Sequence, residues 1–166
     1  MPETGIRIMG NEWFDFLKTD FVTGWPRDCG FVVDAVRAGG FDTRLEVTPR
    51  HRQQDGFVHA GVLATMADHT AGYAGYTMVD KGFRILTVEF KINFFKPAVG
   101  PILWCRSAVI HKGRQLIVAE SDLFSGNNTA RKQVARAMVT LAAVSAGALD
   151  KDDSGVQTGI DGLARK

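Results

Sequence analysis

A helix that holds more glycine than a helix ordinarily tolerates sets the terms for this chain. The segment Gly56-Phe57-Val58-His59-Ala60-Gly61-Val62-Leu63-Ala64-Thr65-Met66-Ala67-Asp68 runs on into His69-Thr70-Ala71-Gly72-Tyr73-Ala74-Gly75-Tyr76. At about 100° per residue, Gly61, Thr65, Asp68, Gly72 and Gly75 share one narrow face, and Leu63, Met66, Thr70 and Ala74 lie on the far side. Each internal glycine costs roughly 0.5–1 kcal/mol relative to alanine. The stripe therefore predicts a close approach to the backbone by another chain or by a ligand. The opposite side reads as ordinary core.

The segments around this helix read as strands. Downstream, Lys81-Gly82 is a helix stop, and Arg84 to Phe95 alternates. Leu86, Val88, Phe90, Ile92 and Phe94 fall on one face of that strand, and Thr87, Glu89, Lys91 and Asn93 on the other. Ile102 to Ile110 follows, Lys112-Gly113 turns into Arg114 to Phe124, and Ser125-Gly126-Asn127-Asn128 turns into Arg131 to Ala143. Upstream, Phe31 to Arg37 and Phe41 to Val47 make a hairpin across Gly39-Gly40, closed by Pro49. One long helix with strands before and after it predicts an α+β domain. In it, an antiparallel β-sheet is wrapped around one long central α-helix.

The chain of 166 residues, 45% hydrophobic and 23% charged, suits a single globular domain. We place an N-terminal segment with a short helix (Asn11 to Leu17) at 1–28, the main domain at 29–144 and a disordered, Gly/Ser/Asp-rich tail at 145–166. A formal charge of +2 is too mild for a nucleic-acid partner. No apolar run is long enough to cross a membrane and no signal-peptide pattern opens the chain, so the expectation is a cytoplasmic protein. Cys29 and Cys105 read as reduced thiols. The spacing of His51 and His59, with His69 elsewhere on the helix, does not fit a metal site.

Two parts of the central helix bear on chemistry. Its first turn, at His59-Ala60-Gly61, leaves backbone N–H groups without intrahelical partners at the positive end of the helix dipole, where an oxyanion would be stabilised. The carboxylate of Asp68 lies on the order of 13 Å further along, too far to act with the first turn of its own helix. If the two act together, they come from two subunits paired across the glycine face, and the protein is an obligate oligomer.

Gln53-x-x-Gly56-x-x-His59-Ala60-Gly61 followed by Asp68 and Gly72, with Thr87 to Pro97 downstream, resembles the signature of hotdog-fold acyl-CoA thioesterases. The likeness is to the phenylacetate-degradation type related to 4-hydroxybenzoyl-CoA thioesterase, and it covers roughly Phe41 to Ala143. The resemblance implies the hotdog fold and hydrolysis of an acyl- or aryl-CoA without metal or redox cofactor. It also implies a dimer, commonly paired into a dimer of dimers.

By the same resemblance, Asp68 is nucleophile or general base and Ala60 and Gly61 polarise the carbonyl. Gln53 orients the carbonyl or water, and Thr87 assists the carboxylate. From the residues themselves, the place of His59 before the helix suggests that it holds the turn through a hydrogen bond, with Gly56 in the loop beside the substrate, and Lys96, Arg131 and Lys132 could meet the phosphates of coenzyme A. Ala60 stands where the family has glycine; it keeps the N–H but narrows the space above it. Tyr73, Tyr76, Phe83, Phe94 and Phe95 are either core or acyl-pocket wall. Two alternatives stay open: a non-catalytic acyl-CoA sensor, which would be expected to lack Asp68, and a hotdog hydratase or dehydratase, whose Pro-rich His loop has no counterpart here.

Overall fold

The computed structural model describes residues 10–149. Its strands are β1 (Phe31–Arg37), β2 (Gly40–Glu46), β3 (Phe83–Phe94), β4 (Ile102–Lys112), β5 (Leu116–Gly126) and β6 (Arg131–Ser145). They form one antiparallel sheet in the order β1-β2-β4-β5-β6-β3. Helix α3 (Ala60–Tyr76) packs against one face and touches every strand. This is the hotdog arrangement that the order of elements predicts.

Close packing of α3 follows from what the strands present to it. Burial alternates along β5, where Ile117, Ala119, Ser121 and Leu123 point inward, beside Leu103, Cys105 and Ser107 of β4 and Ala135, Ala137 and Val139 of β6. Several of these are small, so the helix backbone comes near the sheet. The buried hydroxyls find partners there, as buried polar groups must. Ser121 Oγ donates to the Ala67 carbonyl at 2.8 Å and lies 2.6 Å from Ser107 Oγ, while the hydroxyls of Thr43 and Thr70 are 2.9 Å apart.

Strand β3 departs from simple alternation. It pairs Thr87 with Leu141 but Glu89 with Thr140 and Phe90 with Val139, so Val88 is the extra residue of a bulge. Directly opposed residues share a face. Ile85, Thr87, Phe90, Ile92 and Phe94 therefore project to the helix side with Ala143, Leu141, Val139, Ala137 and Ala135. Leu86, Glu89, Lys91 and Asn93 project away. The expected division, with Thr87 opposite Phe90, is thus corrected by a one-residue insertion. β3 is also one of the two outermost strands, with one edge unpaired among the described residues, and only Ile85 of its residues is buried.

The glycine stripe divides as well. A Cβ on Gly72 would meet nothing within 4 Å, whereas one on Gly75 would lie 2.8 Å from Leu141 Cδ1. Gly75 thus serves contact with the protein's own sheet, not the open face. The helix stops earlier than Gly82 suggests. Thr77 caps it, donating its hydroxyl to the Ala74 carbonyl at 2.6 Å and accepting from the Gly39 N–H at 2.8 Å. That hydroxyl ties the end of α3 to the β1–β2 turn, where Gly39 adopts φ 71°.

At the N-terminal side, α1 (Asn11–Phe21) is longer than the expected helix, and α2 (Gly24–Cys29) follows it. Trp13, Leu17 and Phe21 enter the core, so α1 does more than cover an edge. Three polar contacts fix α1 to α3: Trp13 Nε1 donates to the Tyr76 carbonyl (3.2 Å), the Tyr73 hydroxyl donates to Asp20 Oδ2 (2.7 Å), and His69 Nε2 lies 3.0 Å from the Phe21 carbonyl oxygen. At the other end β6 reaches Ser145, and Ala146–Leu149 form a helical turn. The remainder of the expected tail, and the first nine residues, lie outside the described residues.

Candidate active site

Two half-sites lie along the open side of α3. At its first turn, a cavity of about 300 Å³ is lined by Gln53, Ala60, Leu63, Phe94, Phe95 and Lys96. Phe57, Val58, Pro97 and Ala98 complete its wall; the sequence places Phe57 and Val58 in the approach to the helix and Pro97 at the end of the long strand, and gives none of them a lining role. The floor is positioned by short backbone bonds. Phe95 N–H and Lys96 N–H donate to the Val134 carbonyl at 2.7 and 3.3 Å, and Val58 N–H to the Ala98 carbonyl at 2.9 Å. The loop before the helix turns at Gly56, whose φ of 82° suits glycine. Gly56 N–H donates to the Gln53 carbonyl at 3.0 Å, and Arg52 Nη1 to the Gly56 carbonyl at 2.8 Å. Gly56 thus shapes the loop and is not among the residues lining the cavity.

The donors at the helix start are unequal. His59 is the N-cap, and its Nδ1 accepts from Gly61 N–H at 2.9 Å, which holds the turn as expected for this histidine. That bond occupies the donor expected of Gly61. Ala60, the first helical residue, has no intrahelical acceptor for its N–H, and it lines the cavity. Of the two backbone donors, Ala60 is the one placed to meet a ligand oxygen.

The second half-site lies two turns on. Asp68 is half-buried on the open side of α3, and Thr87 Oγ1 donates to its Oδ1 at 2.8 Å. The bulge at Val88 makes this contact by turning Thr87 toward the helix. Among the described residues no hydrogen bond engages Asp68 Oδ2, which stays available as an acceptor. The axial separation of about 12 Å between Ala60 and Asp68 keeps the two half-sites of one chain apart.

The remaining candidates fall elsewhere. Tyr73 is buried, bonded to Asp20, and its phenol is pushed far above the usual range by burial and then by that carboxylate. Arg131 stacks over Trp104 and Phe124, at 5.4 and 5.8 Å from their centroids, which engages it away from the cavity. Lys132 and Phe83 are exposed, and Tyr76 lines a different cavity. Burial pulls His69 and His51 below the usual histidine range, and His51 Nε2 sits 2.9 Å from the Cys29 carbonyl. Among the described residues, no group of three or more His, Cys, Asp or Glu side chains is placed to hold a metal ion. No helix among them is long and apolar enough to cross a membrane.

Residues 55–131 match the thioesterase superfamily. The chain is similar to a thioesterase family protein of Silicibacter pomeroyi: 28% identity, TM-score 0.77, covering 80% of this chain and 98% of that one. It shares its fold with a phenylacetic acid degradation-related protein of Ralstonia eutropha, at 23% identity and TM-score 0.67, over 80% of this chain and 99% of that one. A Saccharolobus solfataricus protein provisionally named an esterase is 34% identical over 73 residues, 44% of this chain. That match spans about half of the relative's length (48%).

Proposed function

From the premise that residues 55–131 belong to the thioesterase superfamily, we propose that this protein is an acyl-CoA thioesterase, hydrolysing an acyl- or aryl-CoA to the free acid and coenzyme A. The observation that carries the reading is the Thr87–Asp68 contact on the open side of a helix whose first turn presents an unpaired N–H to a cavity. Those are the two elements that thioester hydrolysis needs: an oriented carboxylate, and a preorganised donor for the oxyanion.

In this reading the thioester carbonyl oxygen takes the Ala60 N–H, helped by the helix dipole. Asp68 Oδ2 supplies the attacking oxygen, either directly or by taking a proton from water. The tetrahedral intermediate collapses with loss of the coenzyme A thiolate, which is protonated by solvent. Direct attack leaves an acyl–Asp68 anhydride that water then opens. Single turnover in ¹⁸O-water separates the routes, because only the anhydride route can carry a protein carboxylate oxygen into the product. Gln53 orients the carbonyl or the water, and Lys96, which lines the cavity, meets the phosphates of the leaving coenzyme A.

The separation of the half-sites supports a dimer as the active unit. The unpaired edge of β3 and its exposed Leu86, Val88, Phe90 and Phe94 offer a surface for antiparallel pairing with a second copy. Such pairing would bring Asp68 of one subunit to Ala60 of the other, and pairs of dimers extend the same scheme. The test mixes two inactive variants. Asp68→Asn removes the carboxylate. Ala60→Pro removes the N–H at a helix position where proline is tolerated, after a residue already at ψ 136°. Random reassortment should restore about a quarter of wild-type turnover, since a two-fold heterodimer has one intact site of two. No recovery on mixing would place both groups within one chain and overturn the cross-subunit site.

A further inference from the structure

A second cavity, of about 350 Å³, opens beside the C-terminal half of α3, lined by Trp13, Phe16, Leu17, Asp20, Tyr76, Lys81 and Arg84. Four of these come from α1, outside the segment that matches the thioesterase superfamily. The apolar part is rigid: the Trp13 and Phe16 rings stack at 5.2 Å and 10°, and Trp13 is pinned by its bond to the Tyr76 carbonyl. The polar part is two cations and one carboxylate. Asp20 accepts from the Tyr73 hydroxyl at 2.7 Å. Lys81 Nζ sits 5.9 Å from the Trp13 centroid, and Arg84 Nη1 reaches the carbonyls of Lys81 and Phe83 at 3.4 and 3.2 Å. Among the described residues neither cation pairs with a carboxylate within 4.0 Å.

This cavity and Asp68 share helix α3 through Tyr76. Tyr76 is eight residues beyond Asp68, about 12 Å along the helix. Gly72 stands between them, with nothing within 4 Å of where its Cβ would be. An acyl chain whose carbonyl lies at Asp68 can therefore run over the bare backbone at Gly72 and end against Trp13 and Tyr76. A chain of that length arrives at Lys81 and Arg84.

We propose that the cavity between α1 and the end of α3 is the acyl-terminus subsite, and that its unpaired Lys81 and Arg84 select acyl groups ending in a carboxylate: the monothioesters of dicarboxylic acids. The methylene chain packs on Trp13, Phe16 and Leu17, and the terminal carboxylate takes charge-assisted hydrogen bonds from the two cations. Asp20 also lines the cavity and keeps its negative charge, with one oxygen engaged by the Tyr73 hydroxyl, so the two cations against one carboxylate leave the lining positive. The assignment rests on the thioesterase reading, and the experiment separates the two.

Hexanedioyl-, octanedioyl- and decanedioyl-CoA are compared with hexanoyl-, octanoyl- and decanoyl-CoA by thiol release, in the wild type, in Lys81→Met/Arg84→Met and in Gly72→Leu. The wild type should favour the octanedioyl over the octanoyl thioester by about tenfold or more in kcat/KM, the scale of one hydrogen bond to a charged group. The double variant should lose that preference, and Gly72→Leu should discriminate against the longer chains. A dicarboxyl-to-monocarboxyl ratio at or below one in the wild type, or unchanged in the double variant, overturns the subsite. Binding of the non-hydrolysable thioether analogue of octanedioyl-CoA is measured by calorimetry on the same proteins. If no thioester is cleaved, the hydrolase reading fails, while an analogue affinity about tenfold weaker in the double variant still supports the subsite. Equal affinity in both proteins overturns it.

Discussion

The hydroxyl of Thr87 donates to Asp68 Oδ1 at 2.8 Å, joining the edge strand of the sheet to the helix it wraps. The bond restrains the carboxylate through one oxygen and leaves the other available. Asp68→Asn keeps the shape but removes the charge and the basicity, so thiol release should fall by about 10²–10⁴. Thr87→Val leaves the carboxylate but loses one hydrogen bond to a charged group, and activity should fall by roughly 10–100-fold. Equal losses in both, with native folding by circular dichroism, would mean that the pair acts as one unit. Full activity in Asp68→Asn would remove it from the chemistry.

The Ala60 N–H carries the oxyanion in the proposed mechanism, and Ala60→Pro deletes that donor alone. Because the first helical position tolerates proline, the urea midpoint should change little while kcat falls by about 10²–10³. A loss confined to KM would instead indicate ground-state binding.

Residues 95–101 form the strap that joins β3 to β4, and a Cβ at its Gly100 would lie 2.4 Å from Gly126 N and 2.5 Å from Gly126 O. The obstacle is backbone, not the end of a mobile side chain. Gly100→Ala should therefore destabilise the fold by about 2–4 kcal/mol in urea unfolding. A midpoint equal to that of the wild type would show that the strap can shift freely.

Burial lowers the pKa of both His51 and His69 in the folded protein. The unfolded chain then binds more protons than the native one from about pH 6.5 downward. Stability should fall as pH drops below about 6.5 and level off once the folded pKa values are passed. Urea midpoints between pH 7.5 and 5 would show this, and His69→Gln should flatten the slope. A slope unchanged in that variant would assign the effect to other groups.

Cys105 is fully buried, and burial pushes its thiol up to about 11. At pH 8 it should resist alkylation in the folded protein, and react only after denaturation, with mass spectrometry locating the adduct. Rapid native labelling would mean that β4 opens locally.

How much of this was legible in the sequence depends on the range of the interaction that decides each feature. Local periodicity carried the elements: the small-residue helix, the strands after it and the turns at Gly39 and Gly113 follow from spacing and turn chemistry within a few residues. His59 as the holder of the helix start was legible for the same reason. So was the isolation of Asp68 from its own first turn, which needs only the helical rise. Three features depended on contacts distant in sequence. The bulge at Val88 is set by the pairing of β3 with β6, and it alone turns Thr87 toward Asp68. Gly75 looks like its stripe neighbours until Leu141 is packed against it. The cavity beside Tyr76 exists because α1 folds back onto α3 through Trp13, Asp20 and Phe21. Residue order determines what each segment is, since φ/ψ preference and amphipathic period are local. Register and docking are settled only when segments far apart in the chain compete for the same surface, and there the tertiary structure decided.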